Sequence, residues 1–171
     1  AGGSLGMRDG KVCYHNAAFQ SDYGSLGHAE VVGMKIPRSK FKEFAAEYCR
    51  LFDAKGRRPD QDGDRGTEYR NLVGLPGGTK SPLAKELVAA SLAEGDKLDF
   101  GVGKGDDADA KALAWVYDTK EFPFYQAEPY HQFHDGFAWG EDYPNSYNNL
   151  QKRLFKAKVV KDTGCPNGAI G

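Results

Sequence analysis

Apolar and polar positions alternate from Glu30 to Ile36. Glu30, Val32, Met34 and Ile36 share one face, and Val31, Gly33 and Lys35 the other. That period of two predicts a strand, ended by Pro37. The period then changes. Phe41, Phe44, Ala45, Tyr48 and Phe52 recur at helical spacing and predict an amphipathic helix over 39–53. Ser39 is its expected N-cap, and Cys49 lies beside the apolar stripe. A polar loop covers 54–66. Tyr69, Asn71, Val73 and Leu75 then predict a second strand over 67–75, closed by the turn Pro76-Gly77-Gly78. Ser81-Pro82 starts a second helix that runs to about Ala93, with Gly95 as its stop. A charged, Gly-rich loop over 101–109 precedes a third strand over 112–118, and a helix is expected at about 146–157. Residues 1–29 read as loop. Strand, helix, strand, helix, strand with a long C-terminal extension is an α/β or α+β order.

Composition narrows the function classes. The chain has 171 residues, with 23 Lys and Arg against 24 Asp and Glu. That balance offers no electrostatic case for nucleic acid or a membrane surface. No apolar run reaches the roughly 18–20 residues of a membrane span. Gly 22 and Pro 8 predict much loop, while 12% aromatic residues supply a core that a disordered chain would lack. Three cysteines, at 13, 49 and 165, rule out a fully paired disulfide framework.

Several residues are candidates for chemistry. Glu30 sits on the apolar face of its expected strand, and burial there makes it a candidate proton donor. The plainer alternative is a strand-end Glu facing solvent. Asp64 and Tyr69, five apart in Gly63-Asp64-Arg65-Gly66-Thr67-Glu68-Tyr69-Arg70, either converge on a pocket or belong to an Asp-Gly loop with a structural Tyr. His131 and His134 are three apart, but no cluster of ligands at metal spacing accompanies them, so no metal site is expected. The tract 122–133 reads as a packed aromatic loop. Cys165, between Gly164 and Pro166, is expected to be exposed in the tail. It is either a thiol that resolves an oxidised sulfur or an inert tail residue. Gly101-Val102-Gly103-Lys104-Gly105 is a weak phosphate-loop pattern, opposed by Asp106 and Asp107.

Three segments occur in order: Gly27-His28-Ala29-Glu30-Val31-Val32, the Asp64–Tyr69 segment above, and Phe124-Tyr125-Gln126-Ala127-Glu128-Pro129-Tyr130-His131-Gln132. Together they resemble peptide methionine sulfoxide reductases of the A type, which reduce the S epimer of the sulfoxide. Ala1-Gly2-Gly3 is similar to the end of a Gly-Tyr-Ala-Gly-Gly stretch in that family. The resemblance covers residues 1 to about 137, so it implies a domain over 1–138 and an extension over 139–171. It implies that Glu30 protonates the sulfoxide oxygen, that Asp64 is the pocket carboxylate and that Tyr69 hydrogen-bonds the oxygen. A second pocket tyrosine would be Tyr14 or Tyr23, with Tyr125 and His131 as further substrate contacts. Cys165 would be the resolving thiol. The implied partners are a methionine sulfoxide peptide or protein and thioredoxin as reductant, with no metal and no other cofactor.

One departure matters. The family's nucleophile lies in Gly-Cys-Phe-Trp, and nothing in residues 1–171 matches it. Cys13 stands in Val12-Cys13-Tyr14, and Trp115 and Trp139 lie elsewhere. Without that thiolate the covalent step cannot start. The family's core resembles a ferredoxin-like α+β unit with a mixed sheet, and here its N-terminal strand-helix unit is missing. The strands at 30–36 and 67–75 would then flank a vacancy. Either a complementing polypeptide fills it or the core is rearranged. The alternative to an enzyme is a non-catalytic, reductase-derived subunit of a larger assembly, or a sulfoxide-binding module. A start at Ala1 without Met suits a processed organellar protein, as of a plastid, but equally a cytoplasmic one or a fragment.

Overall fold

A computed structural model describes residues 1–133 and 145–166. The chain divides into two units, one of residues 1–5 and 27–124, the other of residues 6–26 and 125–171. The first unit holds helix α1 (Phe41–Arg50), strand β1 (Leu72–Leu75), helix α2 (Pro82–Ala93), strand β2 (Asp99–Val102) and strand β3 (Leu113–Asp118). Helices pack on a sheet, in keeping with the expected α+β class.

The described sheet has three strands in the order β1-β3-β2, and both pairings are parallel. Parallel neighbours need a crossover rather than a tight turn. Helix α2 lies between β1 and β2 in the chain, and the loop 103–112 joins β2 to β3. The sheet is therefore parallel in its described part, where a mixed sheet was expected.

Local chemistry accounts for α2. The Ser81 side chain accepts the Leu83 N–H at 3.3 Å, and Pro82 takes the first helical position. Past the end, Gly95 adopts φ 99°, a backbone conformation that costs glycine little. Helix α1 starts later than its pattern suggested. Ser39 lies inside a 3-10 turn over Arg38–Lys40, and its hydroxyl does not cap the helix. The α1 stripe itself packs as its spacing demands. Phe41, Ala45 and Cys49 are buried and Phe52 is nearly inaccessible. Phe41 and Ala45 join Leu75, Ala84, Leu87 and Val116 in one core cluster between α1, α2 and the sheet. Burial pushes the Cys49 thiol up from its ordinary range, as fits a core residue.

Two expected elements differ. The predicted strand 30–36 is not a strand. Ala29 makes an antiparallel bridge with Gly2, but residues 31–36 form no ladder. Val32 is 81% exposed and Met34 53%. Alternation alone cannot hold a strand, and no strand among the described residues pairs with 31–36. Strand β2 was missed, because Gly101 reads as a loop residue. It is glycine because a Cβ there would meet the Trp115 ring of β3 at 2.8 Å. The second strand is also shorter than expected, with a 3-10 turn at Thr67–Tyr69 replacing its start.

The described part of the second unit is mostly loop. The Arg8 and Lys11 backbones pair in a hairpin, and Cys13 bridges Asp22. Helices α3 (Asn145–Asn148) and α4 (Leu150–Lys156) occupy the region of the expected C-terminal helix. The segment after α4 is tied down. Gln126 donates to the Lys161 carbonyl at 2.6 Å and accepts its N–H at 3.1 Å, and Lys11 Nζ donates to the Gly164 carbonyl at 2.7 Å. His134 and Trp139 lie outside the described residues, as does part of the expected extension. No helix among the described residues is long and apolar enough to cross a membrane.

Candidate functional site

In the first unit the centre of the polar architecture is Arg70, a residue whose role the sequence did not reveal. Only 3% of it is exposed. It ends the motif segment and points its guanidinium inward. Nη2 donates to the Gly3 carbonyl at 2.9 Å and the Gly27 carbonyl at 3.0 Å, Nη1 to the Thr67 carbonyl at 2.6 Å, and Nε to Tyr117 Oη at 3.1 Å. A planar fork with five donors suits this fan of acceptors. Tyr117 in turn donates to the buried carboxylate of Asp107, which also accepts the Lys104 and Gly105 N–H groups at 2.7 and 3.1 Å. Arg70, Tyr117 and Asp107 thus form one buried polar chain.

That chain gathers Ala1-Gly2-Gly3 and two of the three motif segments. Gly2 and Ala29 exchange backbone bonds at 3.0 and 2.8 Å, and the Glu30 N–H donates to the Glu68 carbonyl at 2.9 Å. Ala-Gly-Gly, Gly-His-Ala-Glu and Thr-Glu-Tyr-Arg therefore meet in one place. Gly33 lies against the Phe124 ring, where a Cβ would come within 3.1 Å. Glu30 itself is exposed, which corrects the expectation of a partly buried carboxylate. The cause is the absent ladder over 31–36. Asp64 is exposed on the loop, its N–H bonded to the Gln61 carbonyl at 3.1 Å. Tyr69 is half-buried, and its carbonyl accepts Arg58 Nη2 at 2.6 Å. The two depressions described on the surface, of about 260 and 590 Å³, lie along α1 and are not lined by Glu30, Asp64 or Tyr69.

The second unit brings together Tyr14, Tyr23 and His131. Tyr14 stacks on Tyr23 with centroids 5.4 Å apart and lies 4.2 Å from the His131 ring. The sequence left Tyr14 and Tyr23 as alternatives, and they pack against each other, with Tyr23 buried. Tyr125 is half-buried in the same unit. His15 Nδ1 and Asp22 Oδ2 pair at 2.6 Å beside this cluster. Cys165 is not an exposed thiol. It is buried and disulfide-bonded to Cys13 across 152 residues of sequence. Glu128, which no sequence reasoning singled out, is 4% exposed, and its Oε1 accepts the Tyr14 N–H at 2.9 Å.

Both buried aspartates make stability depend on acid. Burial works to raise the Asp107 carboxyl, but the Tyr117 hydroxyl, the Lys104 and Gly105 N–H groups and Arg70 outweigh it and hold the group below its ordinary range. Burial likewise opposes, and the Ser25 N–H and His15 override, at Asp22. The unfolded chain therefore takes up these protons first. Their stabilisation is present above about pH 4, the unfolded carboxylate range, and is lost as the pH falls through the lower folded values. The urea midpoint should drop below about pH 4, and Asp107→Asn should flatten that drop. An equal acid dependence in Asp107→Asn would exclude Asp107 as a source.

Comparison with protein-family models, curated proteins and solved structures found no match to the chain.

Proposed function

We propose that this chain serves the reduction of peptide-bound methionine (S)-sulfoxide, as the C-terminal part of an A-type reductase whose nucleophilic cysteine is supplied from outside residues 1–171. What supports this is the meeting of Ala1-Gly2-Gly3 with two of the three motif segments in one unit. Gly2 bridges Ala29, Glu30 is hydrogen-bonded to Glu68, and the Arg70 guanidinium spans the Gly3 and Gly27 carbonyls. Segments far apart in sequence are thereby held around Glu30.

The chemistry needs an incoming thiolate and a proton. The thiolate attacks the sulfoxide sulfur and forms a sulfur–sulfur bond; the protonated oxygen then passes to the cysteine sulfur as the sulfur–oxygen and sulfur–sulfur bonds break, leaving the cysteine as a sulfenic acid. Methionine is released, and Glu30 supplies the proton to the departing oxygen. Tyr69 hydrogen-bonds that oxygen and Asp64 lines the pocket. A dithiol such as thioredoxin then returns the sulfenic acid to the thiol. In this reading a strand of the complementing segment covers 30–36, removes Glu30 from water and completes the pocket.

A non-catalytic subunit is the second reading, favoured by the exposed Val32 and Met34. A photo-crosslinking residue in place of Val32, activated in native extract, separates the two. The reductase reading expects a crosslinked peptide containing Cys-Phe-Trp. Capture of a peptide without that cysteine motif would support the subunit reading instead.

A further inference from the structure

The second unit contains a buried side-chain cluster that the sulfoxide chemistry does not use. Cys13 Sγ, Cys165 Sγ and a Glu128 carboxylate oxygen all lie within 4.8 Å of one another, and all three residues are buried. The two sulfurs are bonded. One Glu128 oxygen, Oε1, accepts the Tyr14 N–H, but Oε2 is buried with no hydrogen-bond partner among the described residues. A buried carboxylate oxygen without a donor is costly and needs an explanation. A disulfide offers it no hydrogen, whereas the two thiols formed on reduction would. The buried Glu128 carboxylate is therefore better matched to the reduced state of the neighbouring pair.

From this we infer that Cys13–Cys165 is a redox-active disulfide that exchanges with a dithiol, with Glu128 carrying the proton. Cys165 is 9% exposed and Cys13 1%, so the incoming sulfur reaches Cys165. Glu128 takes the proton of the first thiol of the reductant. The resulting thiolate attacks Cys165 Sγ, the Cys13–Cys165 bond breaks, and Cys13 leaves with the electron pair. Glu128 passes its proton to Cys13. The second thiol of the reductant then attacks the mixed disulfide, releasing Cys165 as a thiol and the reductant as its disulfide. Two electrons and two protons move from the dithiol to the protein. This inference stands on the buried cluster alone and is independent of the sulfoxide reading, because its assay contains no sulfoxide.

The test is reduction of the full chain by dithiothreitol, followed by alkylating the released thiols and weighing the intact protein. Wild type, Glu128→Gln and Glu128→Asp are compared across pH, with circular dichroism to confirm folding. Native wild type should be lighter than its fully reduced form by two hydrogens. Glu128→Gln should be reduced about 100-fold more slowly near neutral pH, the low end for loss of an acid–base group. Its rate should follow only the ionisation of dithiothreitol, whereas Glu128→Asp should keep the wild-type pH profile. In denaturant all three should react at one rate. The inference is overturned if native wild type has no disulfide, or if Glu128→Gln matches wild type in rate and profile. It is also overturned if the slowing persists in denaturant. Should Glu128→Gln not fold, loss of the profile in Glu128→Asp overturns it.

Discussion

Arg70→Ala is expected to destabilise the first unit by about 3–5 kcal/mol, the range for removing one member of a buried charged network. Its guanidinium is the donor for three backbone carbonyls and for Tyr117. Truncation leaves these acceptors without that donor, and each buried group left unsatisfied costs about 1–3 kcal/mol. Arg70→Lys should recover little, because one ammonium cannot reach so wide a fan. Trp115, in β3, reports on this unit. Guanidinium unfolding followed by its fluorescence, in a Trp139→Phe background, should show a large fall in midpoint for both variants. An unchanged midpoint would mean that the carbonyls of Gly3, Gly27 and Thr67 find water at no cost.

The second large effect concerns turnover. A protein completed by a Gly-Cys-Phe-Trp-bearing segment is expected to reduce a methionine sulfoxide peptide, and Glu30→Gln should slow it by about 10²–10⁴-fold, as loss of a general acid does. The amide keeps the size of the carboxyl but cannot release a proton. The KM should move less than kcat, because the proton is needed at the departing oxygen and not for binding.

What was legible in the sequence was what local chemistry decides. Ser81, Pro82 and Gly95 mark the limits of α2, and each acts through bonds within a turn of its own position. The α1 stripe was equally readable, since its spacing requires no knowledge of a partner. What failed was what distant residues decide. The alternation at 30–36 has the form of a strand, but a strand exists only beside another. Strand β2 is held by pairing with β3, and its Gly101 is explained by a tryptophan 14 positions away in the chain. The site divides the same way. Glu30 and Tyr69 could be singled out because the resemblance marks them, whereas Arg70, Tyr117 and Asp107 are joined across up to 47 positions. No spacing rule could pair Cys13 with Cys165 when three cysteines leave three choices, nor place Glu128 beside them.

The most direct measurement of the central claim uses a peptide carrying both epimers of methionine sulfoxide. The completed protein is given this peptide with dithiothreitol, and each epimer is followed by chromatography. The expected result is consumption of the S epimer with formation of methionine, the R epimer untouched, and the loss of both changes in Glu30→Gln. Failure of the folded, completed protein to consume the S epimer, or consumption that Glu30→Gln leaves undiminished, would contradict the account.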